Sequence, residues 1–499
     1  MDARLVSGAI LLIAVAGGWA VAYRSTAKSG YLKALLLIAL TGLALRAYAA
    51  ADFSLHPWDE RYHALVARNL LWHPLTPTLY ENPALETGNL SWLESHIWLH
   101  KPPMTLWLIA ASLQLFGIHE IAVRVPSLLL STFGVFLTFY AARYFIRPQA
   151  AVLAAWLYSV NGLLIDLAVG RSPTDHVDTV FAFFVELGVC GGIYAVRRRT
   201  APALLLVGIA TGCAVLTKWL PGLLVIAVLF VLLLSVESWS AALRHSAIAL
   251  GIAALVFIPW QIYTFAAFPK EAAWEAHFNN IRHLVEPLEG HGGSALYYVE
   301  RLPRIFGEAM VIPLLWFGWR LYREGVSWKR AALVTWVALP YGFFSLAATK
   351  MPGYVMIAAP ALFILVAEGF WQIEERRRRL RLNPILLAIQ VLLLVLPIRY
   401  CYERVRPFRG FGRQVAWAEE LKGLKGRVGE GKVAVFNVEH NIEAMFYSRI
   451  AAYPFVPDRT QVERSIAQGF RVFIFDDPAL TSDVRTNPGV VLLRHEQAN

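Results

Sequence analysis

Asp59, Glu60 and Lys101 are the residues of this chain whose types and spacing could do chemistry. A carboxylate within hydrogen-bond reach can take a proton from a hydroxyl, and a fixed cation can balance charge gathering on a departing group. The three lie in the stretch 56–103, which starts HPWDERYHALVARNLLWHPLTPTLYENP and ends HIWLHKPP, a polar, aromatic-rich insert in an otherwise apolar chain. Each has a plainer reading. Asp59 and Glu60 suit the positive end of a helix, and Lys101 suits an interface anchor with its stem in lipid. Their grouping gives the chemical reading its weight. Two elements must position them: an amphipathic helix with Tyr62, Leu65, Val66, Asn69 and Leu70 on one face, and the pair Pro102-Pro103, which fixes φ beside the lysine.

The rest of the chain reads as membrane. Of 499 residues, 57% are hydrophobic and only 16% charged, with 17 Trp, a balance that excludes an ordinary soluble domain. A net charge of +11 invites a nucleic-acid reading, but in such a chain the placement of cations matters more than their sum. Cys190, Cys213 and Cys401 have no paired spacing, so neither a disulfide framework nor a zinc knuckle is implied.

Apolar runs fall near 4–23, 31–50, 120–142, 150–169, 177–196, 202–217, 219–236, 246–266, 306–319, 331–347, 354–373 and 383–400, which predicts about twelve crossings of a hydrocarbon core roughly 30 Å thick. The first run lacks the basic flank and cleavage site of a signal peptide. Arg24, Lys28 and Lys33, Arg143 and Arg147, Arg197 to Arg199, Arg320 to Arg330, and Arg376 to Arg381 occupy alternate loops, which should be cytoplasmic. The first outer loop 51–102, the Arg171–Asp178 turn, the loop 267–305, the Lys350–Gly353 turn and the tail then face outside, so all the candidate chemistry falls on one side. Residues 1–400 form the expected transmembrane domain. In 401–499, short β-type runs at 433–436, 471–475 and 490–493 alternate with helical stretches near 412–424, 440–448 and 459–468, a small extracytoplasmic α/β domain with no glycine-rich nucleotide fingerprint.

An ordered array now becomes visible: Asp59-Glu60, then Lys101-Pro102-Pro103 followed by Trp107, then Leu115-Phe116-Gly117-Ile118 with Glu120 and Arg124-Val125-Pro126-Ser127, then Arg171 with Thr174-Asp175 ahead of Phe183-Phe184, then Lys350-Met351-Pro352-Gly353-Tyr354. In this order it resembles the GT-C membrane glycosyltransferases, the superfamily of protein O-mannosyltransferases and lipid A aminoarabinose transferases. The resemblance implies a polyprenyl-phosphate-linked sugar donor, used at the outer face of the plasma (inner) membrane, and a lipid, glycan or protein acceptor. It maps the first-loop aspartate onto Asp59, with Glu60 beside it, and the donor-phosphate lysine onto Lys101. Arg171 and Lys350 are expected to help at the phosphate. The second family aspartate maps onto Asp175 by its Thr-Asp pairing or onto Asp178 by its distance to Phe183-Phe184. His63 stands where many relatives have tyrosine.

Breaking a sugar–phosphate bond puts negative charge on the lipid phosphate, which Lys101 would meet. Asp59 would deprotonate a hydroxyl acceptor, or orient an acceptor that is already an ionised phosphate; inverting direct displacement is the mechanism the resemblance implies. The one cofactor this reading leaves open is a divalent ion, which His277, Glu275 and His291 in the loop 267–305 could hold, although their spacing matches no strict ligand pattern. The rival classes are a secondary transporter, which would carry mid-span charges and internal repeats, and a scaffold, which leaves Asp59 and Lys101 unexplained.

Overall fold

The polar backbone of an apolar run must close its own hydrogen bonds in a nonpolar medium, and each run becomes helical accordingly. The computed structural model describes residues 3–88, 91–198, 200–380, 383–409 and 415–495; Arg199, Arg381 and the start of the expected 412–424 helix lie outside the described residues. In chain order the helices are α1 (Ala3–Ala27), α2 (Tyr31–Ala50), α3 (Asp59–Asn69), α4 (Pro103–Phe116), α5 (Glu120–Phe145), α6 (Pro148–Val160), α7 (Gly162–Ala168), α8 (Asp175–Arg198), α9 (Ala201–Lys218), α10 (Leu224–Leu233), α11 (Trp239–Ala267) and α12 (Pro269–His277). They continue with the single turn α13 (His283–Val285), then α14 (Tyr297–Phe306), α15 (Val311–Glu324), α16 (Trp328–Leu346), α17 (Ala359–Arg379), α18 (Pro384–Val405), α19 (Ala416–Val428), α20 (Asn441–Tyr447), α21 (Arg459–Ala467) and α22 (Ser482–Arg485).

Among the described residues, eight helices are long and apolar enough to cross a membrane, or nine if the pair α6–α7, bent by 51°, is one crossing. The chain is a multi-pass membrane protein. The bend falls at Asn161, whose side chain accepts from Leu164 N and caps α7. Three of the runs read from sequence fall short of that test. Pro221 and Gly222 divide the run 219–236 into a 3-10 turn and the 10-residue α10, while the run 306–319 becomes the 14-residue α15; at 1.5 Å per residue these are roughly 15 and 21 Å long. The third, α16, opens on Trp328-Lys329-Arg330 and has 19 residues.

The chain divides into two compact units. The first, residues 1–50, 127–264 and 276–411, is a helical bundle in which α8 packs on α9 and α10, α1 on α2, and α17 on α6 and α15. The second, residues 51–126, 265–275 and 412–499, holds four parallel strands in the order β2-β1-β3-β4. These are β1 (Val433–Phe436), β2 (Ala451–Ala452), β3 (Arg471–Phe475) and β4 (Val490–Leu493). All four residues of β1 are buried, as expected of a central parallel strand covered on both faces. β2 has two residues and leaves no period to read. Within this unit α3 packs against α4 and α20.

Candidate functional site

Asp59 and Glu60 are neighbours with different surroundings. Asp59 opens α3 and is half-buried, directly after the exposed Trp58, whose φ of 72° is strained for a bulky residue. Glu60 is fully buried. Its carboxylate accepts from Arg124 Nε at 2.7 Å and Nη2 at 2.9 Å, and from His56 N at 2.6 Å. Arg124 also donates to Asp52 O at 2.6 Å and Ser54 O at 2.8 Å. The two form a bidentate clamp closing the turn that carries Asp59, a positioning task that differs from the catalytic one expected of Glu60. His56 lies 3.0 Å from Asp52 and 2.7 Å from Glu60. Burial presses its pKa down, but Glu60 and the bond to Asp52 outweigh burial and the nearby Arg124, so it rises above the ordinary imidazole value.

Lys101 is reached through a short antiparallel bridge between Thr78 and Ile97 and sits just before α4, with Pro102 at the N-cap and Pro103 the first residue of the helix. It is half-buried. Its Nζ lies 2.9 Å from His100 Nε2, and His100 Nδ1 lies 3.3 Å from Glu275 Oε2. The imidazole stacks on Trp92 with ring centroids 4.6 Å apart and meets the edge of Trp98. His63, the departure from tyrosine, is buried edge-on to the same Trp98. The Trp107 indole donates to Pro74 O at 2.9 Å and ties α4 to the first loop.

In the other unit, Asp178 is committed. It accepts from Lys218 Nζ and Thr174 Oγ1, and Lys218 lies 3.9 Å over the ring of Tyr354. Gly353 presses its backbone so closely on the Asp178 carboxylate that a Cβ there would collide with it. The Pro352-Gly353-Tyr354 motif thus packs against this ion pair. Asp175 is buried at the start of α8, on backbone with φ of 68° at Thr174 and 28° at Asp175, and its carboxylate faces Val177 N. Strain of this kind persists only where surrounding structure over-determines it.

The remaining expected residues have structural partners. Arg171 donates to Arg404 O at 2.9 Å and Ala49 O at 2.5 Å, gathering carbonyls at the C-terminal ends of α18 and α2, where cations are favoured. Lys350 is buried and donates to Ser345 O at 3.1 Å and to Ala347 O, closing the end of α16 rather than presenting its charge to a phosphate. Among the described residues no group of three or more His, Cys, Asp or Glu side chains could hold a metal ion, which corrects the expectation for His277, Glu275 and His291. Glu275 is turned to His100 instead, His291 is tied through its backbone carbonyl to Lys350 N at 2.8 Å, and the His277 side chain is exposed.

Sequence reasoning quoted Glu120 and Arg124 as motif letters without a role, and missed His100. Glu120 accepts from Tyr447 Oη at 2.7 Å and pairs with Lys422 at 3.0 Å, while Lys422 also reaches Phe53 O at 2.7 Å. Their spacing of four on a helix puts Glu120 and Arg124 on one face, a signal that could have marked α5 as the post for both the first loop and the C-terminal segment.

The family described as dolichyl-phosphate-mannose-protein mannosyltransferase matches residues 100–263. The undecaprenyl phosphate-alpha-4-amino-4-deoxy-L-arabinose arabinosyl transferase 1 of Pseudomonas fluorescens (strain Pf0-1) is 28% identical over 349 residues, covering 65% of this chain and 59% of the relative, so the chain spans little more than half of that protein's length. Two solved structures share the fold. One is ArnT from Cupriavidus metallidurans bound to undecaprenyl phosphate, with a TM-score of 0.61, 16% identity and 87% of each chain covered. The other is the archaeal oligosaccharyltransferase AglB from Archaeoglobus fulgidus in complex with an inhibitory peptide and a dolichol-phosphate, with a TM-score of 0.55, 13% identity, and 84% of this chain and 64% of that one covered.

Proposed function

We propose that this chain, whose fold is that of the GT-C membrane glycosyltransferases, transfers a sugar from a polyprenyl-phosphate donor to an envelope lipid, glycan or protein. The observation that carries the reading is Lys101: a half-buried ammonium fixed before the apolar helix α4 by two prolines and by His100. An ammonium so placed suits the phosphate of a lipid-linked sugar, whose tail needs apolar surroundings while its headgroup needs a cation. The name of the Pseudomonas relative makes an undecaprenyl-phosphate-linked aminopentose the first donor to test.

In this reading Lys101 holds the donor phosphate and offsets its growing charge as the sugar leaves. Asp59 takes the proton of an acceptor hydroxyl, or orients an acceptor that is already ionised, and the displacement inverts the sugar carbon. Glu60 acts through the Arg124 clamp. Of the two matches for the second family aspartate, Asp175 is the better, since Asp178 is paired with Lys218. The chain crosses the inner membrane about twelve times, the eight long helices and the bent pair being joined by α10, α15 and α16. The site and the segment 401–499 face the extracytoplasmic side, as the alternation of Arg and Lys supports. Cysteines placed in 51–102 should react with an impermeant reagent on intact cells, and labelling near Arg198 instead would reverse the orientation.

Purified protein incubated with a radiolabelled polyprenyl-phosphate sugar and membrane extract should yield labelled product, and Lys101→Met should lower the rate roughly 10²-fold. A Lys101→Met protein that folds and consumes the donor like the parent would remove the reading.

A further inference from the structure

Lys101 is held by more than its own loop. An ammonium has protons to give and no lone pair to receive one, so the contact between Lys101 Nζ and His100 Nε2 makes Nε2 the acceptor. The ring proton then sits on Nδ1, facing Glu275 Oε2 at 3.3 Å. His100 and Glu275 are 3% and 4% exposed. Glu275 arrives from α12, 175 positions along the chain, and the stack on Trp92 sets the plane of the ring. A lysine serving only as an interface anchor would turn its charge to water; this one is turned to a buried histidine whose other nitrogen faces a carboxylate.

We propose that Glu275 and His100 are positioning residues for Lys101. The carboxylate fixes the tautomer, the imidazole accepts a hydrogen bond from one ammonium N–H, and the other two N–H groups remain for the phosphate of the lipid donor. The assignment rests on Lys101 being the donor-phosphate cation. Glu275, placed in the sequence as a metal ligand, finds its use here through a histidine. Without the relay the lysine keeps its charge but samples several rotamers, and phosphate affinity falls.

The test uses the full-length protein in lipid nanodiscs, with undecaprenyl phosphate as the binding probe and turnover of the labelled donor as the second readout. Lys101→Met and His100→Ala should each weaken probe binding about tenfold or more, the usual scale for a hydrogen bond to a charged group. Glu275→Gln should weaken it by about threefold or more. His100→Gln should return binding to within about threefold of the parent, because its Oε1 can accept a hydrogen bond from Lys101 while its NH2 group donates toward Glu275. The double variant Lys101→Met with His100→Ala should bind no worse than Lys101→Met alone, since the histidine acts through the lysine. Parent-like binding by His100→Ala, or additive losses in the double variant, overturns the relay while leaving Lys101 in place. Should His100→Ala not fold, the Gln variants decide: a loss of about tenfold or more in His100→Gln, or parent-like binding by Glu275→Gln, overturns the relay. Parent-like binding by Lys101→Met overturns the donor-phosphate reading itself, whatever His100 does.

Discussion

Replacing Glu60 by glutamine tests whether this carboxylate is a clamp or a catalyst. The change keeps the volume but removes the charge opposite Arg124, and both side chains are 0% exposed. The amide can still accept one of the two guanidinium bonds, but its NH2 group then faces an arginine that can only donate. Breaking a buried pair by removing one partner costs roughly 3–5 kcal/mol. Arg124 keeps Asp52 O and Ser54 O, so the lower end, about 3 kcal/mol, is expected. In a cooperative unit of this size that lowers a melting midpoint by on the order of 5–10 °C, measurable by intrinsic fluorescence in detergent. Turnover per folded molecule should fall less than tenfold, because Asp59 stays on α3. Substituting both partners with apolar residues, Glu60→Leu with Arg124→Met, should recover much of the lost stability. An unchanged midpoint with turnover lost more than tenfold would show that Glu60 touches the reacting groups and that the clamp argument is wrong.

Asp59→Asn should cut turnover roughly 10²-fold with a hydroxyl acceptor while donor binding survives; near-parental turnover would move the base to Asp175 or to an acceptor already ionised. His56 binds its proton more tightly folded than unfolded, so its contribution to stability is full below the ordinary value of 6.5 and is lost as pH climbs through the raised folded value. Parent and His56→Gln melting midpoints should therefore differ most in acid and converge in alkali, and a pH-independent difference would show that the imidazole charge is not what Glu60 and Asp52 hold. Asp178→Asn should destabilise by roughly 3 kcal/mol, because it strands Lys218 at 13% side-chain exposure. Adding Lys218→Met should return part of that, whereas additive losses would refute the pairing.

Much of the fold was legible in the sequence. Most apolar runs became helices within a few residues of their expected bounds, with 150–169 and 219–236 each broken in two, and the β-branched and aromatic stretches at 433–436, 471–475 and 490–493 became β1, β3 and β4. What could not be read was decided by distance along the chain. Glu60 and Arg124 are 64 positions apart, Asp178 and Lys218 are 40, and His100 and Glu275 are 175. Which cation meets which carboxylate depends on tertiary placement, and periodicity carries no such information. Glu60 therefore read as a carboxylate for chemistry, and Asp178 stayed an open alternative to Asp175. The place of Lys101 just before α4 was legible, because two prolines and a polar insert mark it locally.

The unit that carries Asp59 and Lys101 is assembled from three pieces of chain, 51–126, 265–275 and 412–499. This imposes an order on biogenesis. When the first piece emerges, the partners that will hold it, Tyr447 on Glu120, Lys422 on Phe53 O and Tyr453 on the amides of Ala84 and Leu85, have not been made. At roughly 5–20 residues per second, the wait for them is on the order of tens of seconds. The nascent first loop must spend that interval with the carboxylate of Glu120 lacking its tail partners and Trp72 lacking Arg449 over its ring. Premature termination near residue 410 would leave the helical bundle intact in sequence yet deprive the loop of its scaffold, so a nonsense mutation late in the reading frame should be as damaging as one in the loop itself.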